Sequence, residues 1–463
     1  MTTPIHPTIA IFGHYGNKNL GDESITQAMA HQLRKRIPDA KLVGMSINPF
    51  DTAYRHNIES FPIRRLNGGA SLIVSPEVAA EHFAQQAAPS AQKPASADNT
   101  TNPSTRSAAP KPRGWKQTLK ATPVLGSLLT LLVRGVDLAI AIKDELIFLK
   151  AGRNYAKTID LIIVTGSNQF LDNFGGAWGF PYTLLKWSLI ARSTGTRFAF
   201  ASVGAGPLKK PLSFWMLGIA LRNCDFLSYR DEGSKKLVEA TARGIEGHIF
   251  PDIAHGLDAR VNHKPASTPP VVAVNPMPVY DARYWPIADA NKYNNYLDCL
   301  SQLCKTILSG NSPLVLFSTQ ARDADVIVDV IEILAQDDNY ANWKDQISVE
   351  NAAGVDELMA VLAGSDIVVA TRFHATVLPL QLDKPVLGIC YYRKAAELLD
   401  DVGLGAFHVD IDDFTAEQLI EKFERLVEER ERLVTTLSQE YTRYAITLDK
   451  QFDQLAALVS PKQ

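Results

Sequence analysis

A chain of 463 residues is too long for one ordinary hydrophobic core, and a composition 46% hydrophobic and 21% charged fits a globular protein of two domains. The net charge of −3 excludes the basic excess of a nucleic-acid binder, so any anion site must come from a few placed cations. Four cysteines, Cys224, Cys299, Cys304 and Cys390, exclude a disulfide framework in a chain of this length, and Cys299 and Cys304 lack zinc-ligand spacing.

Thr8 to Phe12 is an apolar run that predicts a strand. It lies so near the N-terminus that no signal peptide fits before it, and a reducing, cytoplasmic setting is the expectation. Gly13 to Glu23 reads as a loop. Ser24 to Ile37 has helical spacing at Ile25, Met29 and Leu33, and Pro38 stops it. Lys41 to Met45 reads as a second strand, a β-α-β opening that predicts a parallel sheet. Residues 84–113 contain no Val, Ile, Leu, Met, Cys or aromatic residue. Such a stretch cannot offset its ordering entropy by burial, and it reads as a disordered insertion in the first domain. Residues 115–150 predict a helical segment, greasiest from Leu125 to Val133. Arg134, Asp137, Lys143, Asp144 and Glu145 make it too charged, and its apolar run too short, for a membrane span. It either packs on the domain or a partner subunit, or lies at a membrane interface as a peripheral anchor.

Further strands are expected near Leu161–Val164, Phe198–Val203 and Phe226–Tyr229. A new series follows at Val271–Val274, Leu314–Phe317, Ile367–Ala370 and Val386–Ile389. Buried apolar strands alternating with helices in both halves predict an α/β protein of two facing Rossmann-like domains, residues 1–262 and 263–463. From Thr415 onward, apolar residues at helical spacing behind a Thr415/Gln418 capping box predict one or two long C-terminal helices. In such a fold a ligand lies between the C-terminal edges of the two sheets.

Five segments fall on those edges. Gly16-Asn-Lys-Asn-Leu-Gly-Asp-Glu23 joins a strand to a helix start, where free N–H groups and the helix dipole gather. It is neither a Walker loop nor G-x-G-x-x-G. Asn17, Asn19, Asp22 and Glu23 offer groups for sugar hydroxyls; a plain tight turn is the alternative. Thr165-Gly-Ser-Asn-Gln-Phe-Leu-Asp172 follows a buried strand and offers Asn168, Gln169 and Asp172 to the same crevice, with local Asx turns as the alternative. Val203-Gly-Ala-Gly-Pro207 would shape its floor. Arg230 sits at a strand tip, where it can make a two-pronged contact to a carboxylate or phosphate, or simply pair with Asp231 or Glu232. Finally, Arg372-Phe-His374 ends an apolar strand, placing an anion-binding group beside one that titrates near neutrality.

Taken in order, Gly16–Glu23, Gly166–Gly176, Ser202–Pro207, Tyr229–Ser234, Pro251–Ala254 and Arg372–His374 resemble the polysaccharide pyruvyl transferase family. The resemblance leaves out 46–150, and Gly166-Ser-Asn-Gln169 stands where many relatives carry a glycine-rich turn. It implies a GT-B-like fold and a transferase that moves a pyruvyl group from phosphoenolpyruvate onto sugar hydroxyls of a polysaccharide or its lipid-linked precursor. The chemistry it implies is ketal formation with release of phosphate, needing no metal or other cofactor. Arg230, Arg372 and His374 would bind the donor. His374 would be the acid, and Asp22 or Glu23 would take the hydroxyl proton. Asn17, Asn19, Asn168, Gln169 and Asp172 would hold the acceptor. A nucleotide-sugar glycosyltransferase on the same fold is the first alternative; the paired glutamates eight apart that many such enzymes carry are missing around Gly364 to Gly405. A non-catalytic glycan-binding protein is the second.

Overall fold

A computed structural model of the chain describes residues 6–66, 72–87, 123–242, 244–258, 267–285 and 287–459, with the side chains of 123–134 and 241 left out. Two parallel sheets organise it. The first contains β1 (Thr8–Phe12), β2 (Lys41–Ser46), β3 (Ser60–Pro62), β4 (Leu161–Val164), β5 (Asn168–Phe170), β6 (Arg197–Ala205), β7 (Phe226–Tyr229) and β8 (His248–Ile249). Its strand order is β3-β2-β1-β4-β6-β7-β8, with β5 paired to β6. The second contains β9 (Val272–Asn275), β10 (Leu314–Ser318), β11 (Ile347–Asn351), β12 (Ile367–Ala370), β13 (Val386–Cys390) and β14 (His408–Asp410), ordered β11-β10-β9-β12-β13-β14. The central strands are continuous apolar runs because both faces are covered by helices. The expected domain boundary at 262/263 falls outside the described residues.

The helices are α1 (Leu20–Arg36), α2 (Pro49–His56), α3 (Pro76–Ala87), α4 (Pro123–Ala156), α5 (Phe180–Thr194), α6 (Pro211–Arg222), α7 (Glu232–Thr241), α8 (Ala290–Ser309), α9 (Asp323–Leu334), α10 (Tyr340–Trp343), α11 (Val355–Ala363), α12 (Phe373–Leu380), α13 (Arg393–Asp401) and α14 (Ala416–Ala457). Helix α1 starts four residues earlier than its apolar spacing suggests. Asn19 caps it by accepting from the Gly21 N–H, and Asp22 and Glu23 occupy its first turn, where negative charge complements the dipole. Ala84–Ala87, expected in the disordered insertion, close α3; residues 88–113 lie outside the described residues. Helix α4 carries exposed Val136, Leu138, Ile140, Ile142, Leu146 and Ile147, and is held at its far end by buried Phe148 and Tyr155. Among the described residues no helix is long and apolar enough to cross a membrane, and the four cysteines are free thiols.

Helix α14 begins with the expected capping box between Thr415 and Gln418 and runs for 42 residues. It starts against the second sheet and ends on the first half. Arg36 donates to Asp449 (2.5 Å) and Asp453 (2.7 Å), and its guanidinium lies over the Phe452 ring. The buried amide of Gln451 donates to the hydroxyls of Ser202 (2.9 Å) and Ser228 (2.8 Å). Ser202 has φ +47° and marks the place where the β6–β7 register shifts. One continuous apolar core therefore joins the β1/α1 face of the first sheet, α14 and the whole second sheet.

Candidate active site

In the first sheet the chain steps away from β1 toward β3 on one side and from β4 toward β8 on the other. Neighbours β1 and β4 therefore send their following loops apart and open a crevice. Strands β9 and β12 do the same in the second sheet. Both crevices open on one cleft of about 570 Å³, lined by His14, Asn19, Asp22, Ser167, Asn168 and Arg230 from the first half. Thr319, Gln320, Arg372, His374, Tyr391 and Lys394 line it from the second.

Arg230 follows β7. Its Nη1 donates to Asp252 Oδ2 (3.0 Å) and its Nη2 to Asn168 Oδ1 (2.8 Å), while Asp231 lies 3.8 Å from Nε. The guanidinium stacks 4.6 Å from the centroid of Phe373, the residue between Arg372 and His374. A Cβ on Gly204 would collide with Asn168 Oδ1 and press on Arg230, so this loop approaches as closely as it does only with glycine. Arg372 caps α12, and its Nε reaches both oxygens of the fully buried Asp323 (2.7 and 2.8 Å), with Nη2 at 2.5 Å. Asp323 also accepts the N–H groups of Thr319 (3.0 Å) and Gln320 (3.1 Å). The fork is thus fixed in direction before any ligand arrives, and Arg372 Nη1 makes no hydrogen bond among the described residues.

His374 stands in the first turn of α12 with Nε2 unbonded and 3.9 Å from Asp252. Burial pulls its imidazole down to about 4, against the opposing pull of Asp252 and with help from Arg230, so it is neutral at neutral pH. A Cβ on Gly21 would collide with the imidazole Nδ1, so α1 of one half touches the catalytic candidate of the other. Asp22 is half-buried and accepts from Asn19 Nδ2 (2.7 Å). Burial, then the neighbouring Glu23, push its carboxyl up to about 7, while Asn19 and Arg230 oppose.

Several residues expected at the site are elsewhere. Glu23 is fully buried: its Oε1 accepts the Gly16 N–H (2.9 Å) and its Oε2 meets His56 Nε2 (2.7 Å). It braces the loop and does not line the cleft. Asn17 is exposed and outside the cleft lining. Gln169 is buried and donates to Thr165 O (2.9 Å). Asp172 is buried too, and accepts the N–H groups of Lys209 (3.0 Å) and Lys210 (2.9 Å), which hold its pKa below the usual carboxylate range despite burial. Both lie off the cleft lining: Gln169 sits within β5 with its amide turned back on Thr165, and Asp172 is turned onto the Lys209 and Lys210 backbone. Asn168 lines the cleft, but its Oδ1 is taken by Arg230 and by Lys394 (3.1 Å).

Lys394 itself escaped sequence reasoning. From the start of α13 its ammonium crosses to Ala205 O (2.7 Å), Ser234 Oγ (3.3 Å) and Asp231 (3.4 Å) of the first half. Burial and nearby Arg230 lower it to about 8. His14, lining the cleft against Phe180 at 4.9 Å, was missed as well; burial and Arg64 lower it to about 4. Neither residue sits in a motif, and only their convergence in space marks them.

Three comparisons place the chain among known proteins. No curated protein sequence matches it. Over the full chain, it is similar in structure to Anabaena HepE solved with UDP, at TM-score 0.53 and 10% identity, covering 97% of this chain and 98% of that one. It is similar also to the UDP-GlcNAc 2-epimerase of Neisseria meningitidis bound to UDP-GlcNAc, at TM-score 0.53 and 11% identity, covering 98% and 100%. At these identities the likeness shows the fold, a GT-B-like pair of Rossmann-type halves. The family profile described as polysaccharide pyruvyl transferase matches residues 19–392, a span that holds Asp22, Asn168, Arg230, Arg372 and His374, and the chain belongs to that family.

Proposed function

We propose that the protein transfers a pyruvyl group from phosphoenolpyruvate to two hydroxyls of a sugar unit, forming a ketal and releasing phosphate. One observation carries this reading: Arg230, Arg372 and His374, from opposite halves, line a single cleft. Three cations there, counting Lys394, suit a small donor with a carboxylate and a phosphate.

The acid–base roles follow from the pKa directions and depart from those the resemblance implies. Asp22, protonated near neutrality, donates its proton to the methylene carbon of the donor. A sugar hydroxyl attacks the adjacent carbon, and neutral His374 takes the hydroxyl proton. Asp252, 3.9 Å away, favours the imidazolium that results. His374 then returns this proton to the departing phosphate. The second hydroxyl closes the ring, and its proton restores Asp22.

The test is a phosphate-release assay with phosphoenolpyruvate and a glycan panel, with the added pyruvyl group read by mass spectrometry. Phosphoenolpyruvate should drive release and sugar nucleotides should not. The same assay gives a pH profile of kcat/KM, which reports the free enzyme. Asp22 loses its proton as pH rises through about 7, so activity falls above that point. His374 gains a charge as pH falls through about 4, so the acid limb lies near there and not at the ordinary imidazole value. An acid limb at the ordinary value, or an alkaline limb well above neutrality, sinks these roles.

A nucleotide-sugar glycosyltransferase is the second reading, supported by the two similar structures, which hold UDP or UDP-GlcNAc. Calorimetry with phosphoenolpyruvate against those ligands separates the two.

The same reading puts the enzyme at the inner face of the plasma membrane, on a lipid-linked acceptor. The exposed aliphatic side chains of α4 support this, because a helix so apolar on its outer face stays in water only at a cost. The chain should float with lipid vesicles, and Ile140→Glu with Ile142→Glu should abolish flotation without lowering turnover on a soluble acceptor. Equal flotation of both proteins removes the idea.

A further inference from the structure

A second and larger cavity, about 1190 Å³, lies beside the cleft and is unused by the chemistry above. Both cavities have Thr319 and Gln320 in their linings, where the Leu20 N–H donates to Thr319 O (3.1 Å) across the two halves. Helices α2 and α3 supply one wall. The ends of β10 and β11 and the first turn of α11 supply the other. Pockets for drug-sized ligands hold about 300–1,000 Å³, so this groove far exceeds the needs of a three-carbon donor.

Resting on the pyruvyl-transfer reading, we infer that this groove binds the non-reacting sugar units of an uncharged oligosaccharide acceptor, which threads past Thr319 and Gln320 into the cleft. Few of the residues expected to hold the acceptor are free at the cleft. Gln169 and Asp172 are buried off its lining, and Asn168 Oδ1 is held by Arg230 and Lys394. The groove adds an aromatic edge of its own. Tyr54 is 57% exposed, and its ring meets that of half-buried Phe83 at 5.1 Å. Such an aromatic edge offers an apolar face to the C–H side of a pyranose and a hydroxyl to its rim. Across from it, Asn351 uses Oδ1 on the Ser318 hydroxyl (2.8 Å), and its amide nitrogen makes no hydrogen bond among the described residues.

Charge decides the class of ligand. The cations of the lining are Lys18 and Arg55, and its carboxylates are Asp51 and Glu357. Arg55 is already spent on Asp51 (3.2 and 3.3 Å) and on Ala353 O (2.6 Å), and Glu357 accepts the Ala353 N–H (2.8 Å). Of these cations only exposed Lys18 is left without an ion pair among the described residues, and a lining so nearly balanced in charge offers little purchase to a second phosphate and suits a neutral glycan. The α2–α3 wall also lies within 46–150, the stretch without shared motifs, and so is separate in sequence from the segments that carry Arg230, Arg372 and His374.

Saturation-transfer NMR on the full-length chain tests this with neutral gluco-, galacto- and manno-tetrasaccharides in the absence of phosphoenolpyruvate. At least one should receive magnetisation from the protein. For that sugar, Tyr54→Ala and separately Phe83→Ala should weaken binding about tenfold, while calorimetry finds phosphoenolpyruvate affinity unchanged and thermal melts confirm folding. Silence from every sugar overturns the inference. So does unchanged sugar affinity in both variants, or competition between phosphoenolpyruvate and the sugar, which would place the sugar in the cleft. If phosphoenolpyruvate does not bind the wild type while a tetrasaccharide binds through Tyr54, the groove stands and the donor assignment falls.

Discussion

Replacing His374 with glutamine is expected to lower kcat by about a hundred- to ten-thousand-fold and to leave the fold intact. The reason is local. The imidazole is neutral at neutral pH, and its Nε2 makes no hydrogen bond among the described residues. Glutamine removes no bonded partner of Nε2 and adds no charge, so stability should barely change. What disappears, under the mechanism proposed, is the group that accepts the hydroxyl proton and hands it to phosphate. Steady-state phosphate release and a thermal melt, run on the same preparation, check both halves of the statement. A kcat within a few-fold of wild type would show that His374 is a packing residue for Gly21 and nothing more.

Arg372→Ala should fail twice over, and the two failures can be pulled apart. Losing a preorganised charge contact to the donor is expected to reduce kcat/KM by about a hundred- to a thousand-fold. Losing the partner of a fully buried carboxylate costs about 3–5 kcal/mol, a large share of the roughly 5–15 kcal/mol that holds a protein folded. Asp323 keeps the N–H groups of Thr319 and Gln320, which puts the cost at the lower end. Arg372→Ala combined with Asp323→Asn removes the buried charge as well. The double variant should regain most of the lost melting temperature and none of the lost activity. Recovery of activity along with stability would mean that Arg372 serves the fold alone. Arg372→Lys keeps a charge yet cannot span both oxygens of Asp323, so it should resemble alanine in activity.

The central strands were legible because a parallel strand buried on both faces is a bare apolar run. Leu161–Val164, Phe226–Tyr229 and Ile367–Ala370 coincide with the spans expected. The peripheral strands were not. β3, β8 and β14 have two or three residues, too few for a run or an alternation, and β11 has only the brief alternation Ile347-Ser348-Val349-Glu350 on an exposed edge. The start of α1 was misjudged because its cap, Asn19, looks like any other loop asparagine until its side chain is seen on the Gly21 N–H. At the site, residues at strand tips could be found, since topology sends every strand tip to the same edge; Arg230, Arg372 and His374 are of this kind. Orientation could not. Glu23 and Asp22 are adjacent, yet a helix turn sends one into the core and the other to the cleft. Lys394 reaches the site only because α13 of one half abuts the β6 loop of the other.

The contact of Gln451 with Ser202 has a reach beyond its own neighbourhood. Two residues past that strained serine is Gly204, whose bare Cα lets Asn168 and Arg230 meet. A side chain a dozen positions from the C-terminus thereby props the floor under the Arg230 guanidinium. Tolerance to mutation in this enzyme should not fade smoothly with distance from the chemistry; it should dip again near the tail, where a swap as mild as glutamine to leucine would be felt at the catalytic end.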